Sequence, residues 1–237
     1  FRLVEEGAVA RVTLCQGVEG NTVAPPDMRA LGAAIRAAGT AASCKLVVVT
    51  GEGDDFCLGR RVVPGVARPA QARAFRENVA DAILGVYEDL RHCPVPVLTA
   101  VQGQAKGFGC AFAAQSDITI ADPAARFSLP EMDTNLPPTL AISACRPRMP
   151  SKAILHMVLT RETVGADLAL AQGLVSEIAP AGGLAAAVEA YAAKLVDRDR
   201  DALIAIKEYM RLAPTMDLAG QARYGANLIA TEMTSQD

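Results

Sequence analysis

Aromatic residues are scarce in this sequence, at 4% of 237 residues with no tryptophan. An aromatic binding surface is not expected; alanine runs such as Ala185–Ala187 and Ala192–Ala193 point instead to close-packed helices. No excess of positive charge exists either. Lys and Arg number 23 against 26 Asp and Glu, a net charge of −3, so no global positive field is available to hold a polyphosphate backbone, and nucleic acid is not an expected partner. The six cysteines (Cys15, Cys44, Cys57, Cys93, Cys110, Cys145) form no C-x-x-C pair and have only two histidines, His92 and His156, beside them. No zinc or other metal site is expected. Without a secretory leader the cysteines read as buried, reduced thiols. No run of about 18 apolar residues is present, and Arg2, Glu5 and Glu6 stand where an apolar leader would begin. The expectation is a soluble, cytoplasmic protein with no membrane partner.

With 51% hydrophobic and 21% charged residues, the chain can bury one sizeable core or at most two small ones, which excludes a disordered or fibrous chain. Strand and helix patterns alternate. Val9–Cys15 reads as a strand. Asp27–Ala38 reads as a helix after Pro25-Pro26, with Asp27 able to cap it. Lys45–Thr50 (KLVVVT) has the continuous apolar pattern of a strand buried on both faces. A long helix over 69–92 ends where Pro94 and Pro96 forbid its continuation. Pro96–Val101, Asp117–Ala121, Arg126–Leu129 and Leu174–Ile178 read as extended, Cys110–Gln115 as a short helix. From Ser151 onward most of the chain reads as helical, including Leu184–Val196, Ala202–Leu212 and Leu218–Thr231. The expected organisation is an α/β core over 1–180 and a helical region over 181–237.

Two glycine-rich loops each follow a buried strand: Gly51–Gly59 (GEGDDFCLG) and Gly103–Gly109 (GQAKGFG). Glycine after a strand lets backbone N–H groups approach an anion or a developing oxyanion. Neither loop matches G-x-G-x-x-G or G-x-x-x-x-G-K-[ST], so neither dinucleotide nor P-loop binding is supported. Taken together, KLVVVTGEGDDFCLGR, PVPVLTAVQGQAKGFGCAFAAQSDITIAD and ARFSLPE resemble the crotonase family, the enoyl-CoA hydratase and isomerase superfamily. The family shows F-x-x-G after one strand, then P-V-I-A-A-V-x-G-x-A-x-G-G-G with a helix and C-D-I-x-I-A, then A-x-F-x-x-P-E. The order and distances fit from about Val9 to Ile178.

The resemblance implies a crotonase-like spiral of ββα units with a C-terminal helical trimerisation region, a coenzyme A thioester as substrate, no separate cofactor, and a homotrimer or dimer of trimers. It places the two backbone N–H groups of an oxyanion hole at Arg60 and Phe108. The family's hydratases use two glutamates across the acyl C2–C3 bond. Glu131 matches the second; the first position is Ala111, which cannot orient or deprotonate water. Ordinary two-carboxylate hydration thereby loses a general base worth about 10²–10⁴ in rate. Glu131 alone can still move a proton between two carbons, as double-bond isomerisation requires. An acyl-thioester hydrolase, an enzyme of carrier-protein-linked substrates, and a degenerate member that only binds acyl-CoA are the competing readings.

Other departures carry expectations of their own. Phe108 stands where the family prefers glycine; its ring would narrow the acyl pocket or tilt the second oxyanion donor, and it would be strained if its φ were positive. Lys106 reads either as a contact for a phosphate or substrate carboxylate or as a solvated side chain on the loop rim. Arg60 and Arg61 read either as contacts for coenzyme A phosphates or an acidic acyl group, or as members of surface ion pairs. Asp133 is a candidate second carboxylate if the extended segment persists past Glu131. Asp117 and Asp122 read as backbone-bonding residues, His92 as a helix-terminal cation, and His156 as a packing residue. Leu136-Pro137-Pro138-Thr139 points to a helix starting after a proline turn. The resemblance also implies a further helix and pocket walls beyond Asp237.

Overall fold

A six-stranded sheet grows from the β-branched runs in the order β1 (Arg2–Glu6), β2 (Val9–Leu14), β3 (Leu46–Gly51), β4 (Val97–Val101), β6 (Ile118–Ala121) and β9 (Glu177–Ile178). The computed structural model describes residues 1–61 and 71–234. β1 lies antiparallel at the edge; the other neighbours pair in parallel, in registers such as Val9↔Leu46, Val47↔Val97 and Leu98↔Ile118. Leu46, Val47, Val48 and Val49 are all fully buried, and their side chains divide by alternation between two cores, as a period of two requires. Val47 and Val49 join Met28, Leu31 and Ile35 of α1 (Pro25–Thr40) and Val86 and Leu90 of α3 (Asp81–His92). Leu46 and Val48 join Val188 and Ala192 of α8 (Leu184–Val196) on the opposite face. The continuous apolar run therefore has the cause assigned to it: helices cover both sides.

A second, three-stranded sheet is built from β5 (Gln104–Lys106), β7 (Arg126–Ser128) and β8 (Val164–Gly165). In it Lys106 pairs with Ser128, so the chain leaves both strands at one place. From β5 it enters α4 (Phe108–Gln115) through Gly107; from β7 it enters a 3₁₀ turn, Pro130–Thr134. This register sets the end of the second glycine loop beside Glu131. After Leu136–Pro138 the chain forms α5 (Thr139–Cys145), the expected helix after a proline turn.

The remaining helices are α2 (Ala72–Phe75), which continues through a π-helical turn at Arg76–Ala80 into α3, then α6 (Ser151–Thr160), α7 (Ala166–Ala171), α9 (Arg200–Leu212) and α10 (Leu218–Thr234). Among the described residues no helix is long and apolar enough to cross a membrane. Side-chain latches hold α9 to the sheet. The Lys207 ammonium, 8% exposed, donates to the carbonyls of Leu90 (2.9 Å) and Val95 (3.0 Å) and pairs with Asp117 at 2.7 Å. Asp117 in turn accepts from the Val97 N–H at 2.8 Å. Arg200 donates to the carbonyls of Cys44 and Gly39.

Several expectations are corrected. Helix α1 begins at Pro25, two residues before Asp27; Pro25 and Pro26 fill the first turn, where the missing N–H costs nothing, and the cap is Ala24, with Asp27 inside the turn. Of Leu174–Ile178 only Glu177–Ile178 pairs as a strand, because Leu174 and Val175 instead donate to the Ala169 carbonyl at the end of α7. Helix α4 starts at Phe108, two residues early. The start of the long helix at 69–70 lies outside the described residues. His156 is exposed and bonds Glu162 at 3.0 Å, not a packing residue. All six cysteines are free, five buried and Cys15 half-buried.

Candidate active site

The two glycine loops converge. Cys57 donates its N–H to Gln104 O (3.2 Å) and accepts from Lys106 N–H (2.9 Å), which lays the first loop along β5. Gly59 has φ +113°, open to glycine but to few other residues, and a methyl group there would lie 3.2 Å from the Lys106 carbonyl oxygen and 4.0 Å from Phe108 N. Arg60 follows in a parallel bridge with Val23: Val23 N–H donates to Gly59 O (3.1 Å) and Arg61 N–H to Val23 O (2.8 Å). In that pattern the Arg60 N–H turns to the side away from Val23.

Phe108 is the first residue of α4, so its N–H has no acceptor within the helix and lies at the positive end of the helix dipole. The positive φ falls on Gly107 (+51°), leaving Phe108 itself unstrained. Gly107 is fixed by donating to Ser128 O at 2.9 Å. A methyl group at Gly107 would lie 2.9 Å from Glu131 Oε1, so the carboxylate sits directly against this loop. The other oxygen, Oε2, is buried without a hydrogen-bond partner. Burial pushes the Glu131 carboxyl above the usual carboxylate range. One loop end, one helix start and one half-buried carboxylate thus meet at a single place.

The wall behind is apolar and aromatic. Ala111 is fully buried, so the position two residues past Gly109 offers a methyl group and no carboxylate. The Phe108 ring stacks on Tyr87 of α3 (centroids 6.3 Å, 14° between planes) and meets Phe112 edge-on at 6.0 Å. Tyr87 is buried, 2% exposed. Burial first, then the charges of Cys145, Glu131 and Cys110, holds the phenol well above its ordinary range. The Cys110 thiol is held high chiefly by its hydrogen bond with Cys145.

A sequence profile of the enoyl-CoA hydratase/isomerase family matches residues 4–237. The chain belongs to that family. It is 30% identical over 227 residues to a probable enoyl-CoA hydratase of Rhodobacter capsulatus, covering 92% of this chain and 87% of that one. It is 30% identical over 159 residues to the mouse mitochondrial enoyl-CoA hydratase domain-containing protein 3, spanning 66% of this chain and about half (51%) of that relative's length. Among solved structures, an enoyl-CoA hydratase/isomerase family protein of Silicibacter pomeroyi superposes with a TM-score of 0.90 at 28% identity, over 98% of this chain and 99% of that one. An enoyl-CoA hydratase of Mycobacterium smegmatis does so with a TM-score of 0.90 at 25% identity, over 98% and 90%. The α/β fold is that of the crotonases, with a helix-rich C-terminal region.

The other candidates from the sequence are placed as follows. Arg61 pairs with Glu19 at 2.7 Å and donates to Thr22 O at 3.0 Å, so its charge is already met within the first loop's neighbourhood. Lys106 is half-buried on β5 and has no ion pair among the described residues. Asp133 does not join Glu131: the segment turns into a 3₁₀ helix rather than staying extended, and Asp133 pairs with Arg161 at 3.2 Å on the exposed side. Asp122 accepts from Ala124 N–H at 2.8 Å, and the exposed His92 donates to the Glu88 carbonyl at 2.9 Å. Tyr87 went unnoticed in the sequence. It lies four residues beyond Ile83 on the buried stripe of its helix, and nothing in that periodicity separates a wall tyrosine from a core residue.

Proposed function

We propose that the protein is an enzyme that acts on an acyl-CoA thioester by proton transfer at C2 through an enolate. The thioester oxygen is received by the N–H groups of Arg60 and Phe108, and Glu131 is the single acid/base. The observation that carries this reading is the Glu131 carboxylate, half-buried with one oxygen unpartnered, lying against Gly107 and so one residue from Phe108 N. Charge that builds on a carbonyl oxygen is stabilised most by donors already fixed in place, and a loop glycine and a helix start supply such donors.

A carboxylate shifted upward by burial is a stronger base than an exposed one and can return the proton near neutral pH. With Ala111 in place of the first glutamate, Glu131 alone suffices to remove a proton from C4 or C2 and return it at the other carbon, the isomerase reaction. Lys106 and Arg60 serve the acidic parts of the substrate from the loops, and Arg61 serves structure through Glu19. The exposed apolar side chains on the last two helices, Ile206, Met210, Leu218, Ile229 and Met233, support assembly into a homotrimer or a dimer of trimers.

The test is turnover of crotonyl-CoA and of a 3-enoyl-CoA, followed by double-bond absorbance, beside Glu131→Gln. A drop of about 10²–10⁴ in kcat for Glu131→Gln is expected. No turnover and no binding of any CoA thioester by the native protein would overturn the proposal; turnover untouched by Glu131→Gln would remove Glu131 from its role.

A further inference from the structure

Residues 52–56 of the first glycine loop form an irregular turn, and a side chain from outside the loop holds it. Asn21 donates from Nδ2 to the Glu52 carbonyl and to the Asp55 carbonyl, each at 2.8 Å, and so closes the turn across its mouth. Its Oδ1 accepts from the Gln16 N–H at 2.9 Å, and its own N–H returns to the Gln16 carbonyl at 2.9 Å. Both amide hydrogens and the oxygen of the carboxamide are therefore engaged. Asn21 is 1% exposed and stands at φ +53°, in the left-handed region that asparagine enters more readily than most residues. The fit is close: a methyl group at Gly51 would lie 2.9 Å from Asn21 Nδ2.

The bonds that start at Asn21 lead to both glycine loops, and Asp55 is the joint. The Asp55 carbonyl accepts from Asn21, while the Asp55 carboxylate accepts from the Gln104 N–H at 2.8 Å, where β5 begins. Arg60 follows Asp55 along the first loop, and Phe108 follows Gln104 along the second. The neighbours of Asn21 run beside the first loop as well: Gly20 O receives the Leu58 N–H at 2.8 Å, and Val23 O receives the Arg61 N–H at 2.8 Å. From the opposite side Gln102 donates to the Gly51 carbonyl at 2.7 Å. The loop is thus held at its start by side chains and at its end by backbone.

We infer that Asn21 is a positioning residue: acting through Asp55, it sets the separation of the Arg60 and Phe108 N–H groups and hence how strongly they polarise a thioester carbonyl. This rests on the acyl-CoA reading above and deepens it. Donors aimed at one oxygen stabilise its developing charge because they are already in place, so their spacing must be kept by the surrounding structure. The bonds from Phe56 N–H to Gln102 O (3.0 Å) and from Cys57 N–H to Gln104 O (3.2 Å) lay the loop along β5; Asn21 fixes the turn from which that stretch departs. Its role is geometric and is exercised through the loop.

The experiment follows the carbonyl stretch of butyryl-CoA, isotopically labelled at the thioester carbon, by infrared difference spectroscopy with the full chain and with Asn21→Gly. Glycine takes a positive φ without strain, so this variant deletes the carboxamide and keeps the backbone path. In the native protein the band should fall to lower frequency on binding, because N–H donors at the oxygen polarise the carbonyl. In Asn21→Gly it should return most of the way to its free value, with kcat for a 3-enoyl-CoA lower by about 10² and KM changed by less than about threefold. Asn21→Asp keeps an acceptor for the Gln16 N–H but turns a carboxylate oxygen toward the Glu52 and Asp55 carbonyls, and it should lose the shift too. An unchanged shift in folded Asn21→Gly, whatever its kcat, would overturn the role of Asn21 while the acyl-CoA reading stands. Failure of both variants to fold by circular dichroism would assign Asn21 to stability and overturn the role equally. A native protein that does not bind butyryl-CoA, or binds it with no shift, would overturn the oxyanion-hole reading and this role together.

Discussion

At the scale of single residues, the site is arranged by what surrounds each group more than by the groups themselves. Gly107 illustrates it: its φ of +51° strains any other residue, and a methyl group there would lie 2.9 Å from the Glu131 oxygen and push the carboxylate aside. Gly107→Ala should retain the fold by circular dichroism yet reduce turnover by about 10² or more, since misplacing reacting groups by about 1 Å has that effect. Glu131 yields a pH prediction. Its folded pKa lies above the unfolded value, so the ionised side chain is a cost to the folded state above that raised pKa, and the cost disappears as pH falls below the ordinary carboxylate range. Glu131→Gln should therefore melt higher than the native protein at about pH 7, and the two should converge near about pH 4, read by calorimetric scans. The same shift places the acid limb of the pH–rate profile above the ordinary carboxylate range.

At the scale of elements, much was legible. The strand at Leu46–Gly51 was readable because a run of β-branched residues with no polar face has few other uses, and the proline turn before α5 because proline cannot continue a helix. Glu131 and Ala111 were readable because a motif fixes their distance from glycines. What escaped depends on packing across the chain: β8 is two residues long, Asp133 turned outward when its segment wound into a 3₁₀ helix, and the Tyr87 ring meets Phe108 only because α3 packs against α4. The latch on α9 was equally invisible, since nothing near Lys207 in sequence announces Asp117. Lys207→Met should destabilise the protein by about 2 kcal/mol, because it takes the buried ammonium from the Leu90 and Val95 carbonyls and from Asp117, which keeps only the Val97 N–H and Arg148 at 3.9 Å. Adding Asp117→Asn should restore part of the loss, as denaturant midpoints would show.

At the scale of the whole molecule, the low aromatic and high alanine content acquires a meaning: Ala111, Ala113 and Ala114 let α4 settle deep in the larger core, close enough for its first N–H to serve the site. The proposed homotrimer or dimer of trimers should appear as three or six chains by light scattering, and the exposed apolar side chains of α9 and α10 are where it would bury surface. Ile229→Glu, at a residue 64% exposed, should shift that assembly toward smaller species while the secondary structure stays intact. The six free thiols make the native chain its own reporter of opening. Burial holds the Cys57 thiol up to about 12 and the Cys93 thiol up to about 11, so almost no reactive thiolate of either exists at about pH 8. A thiol reagent should label the half-buried Cys15 first and the other five only as fast as the molecule unlocks. Because Cys110 lies on the helix that begins at Phe108, a thioester seated there should slow its labelling in particular, and an occupied site could be timed without any chromophore or turnover.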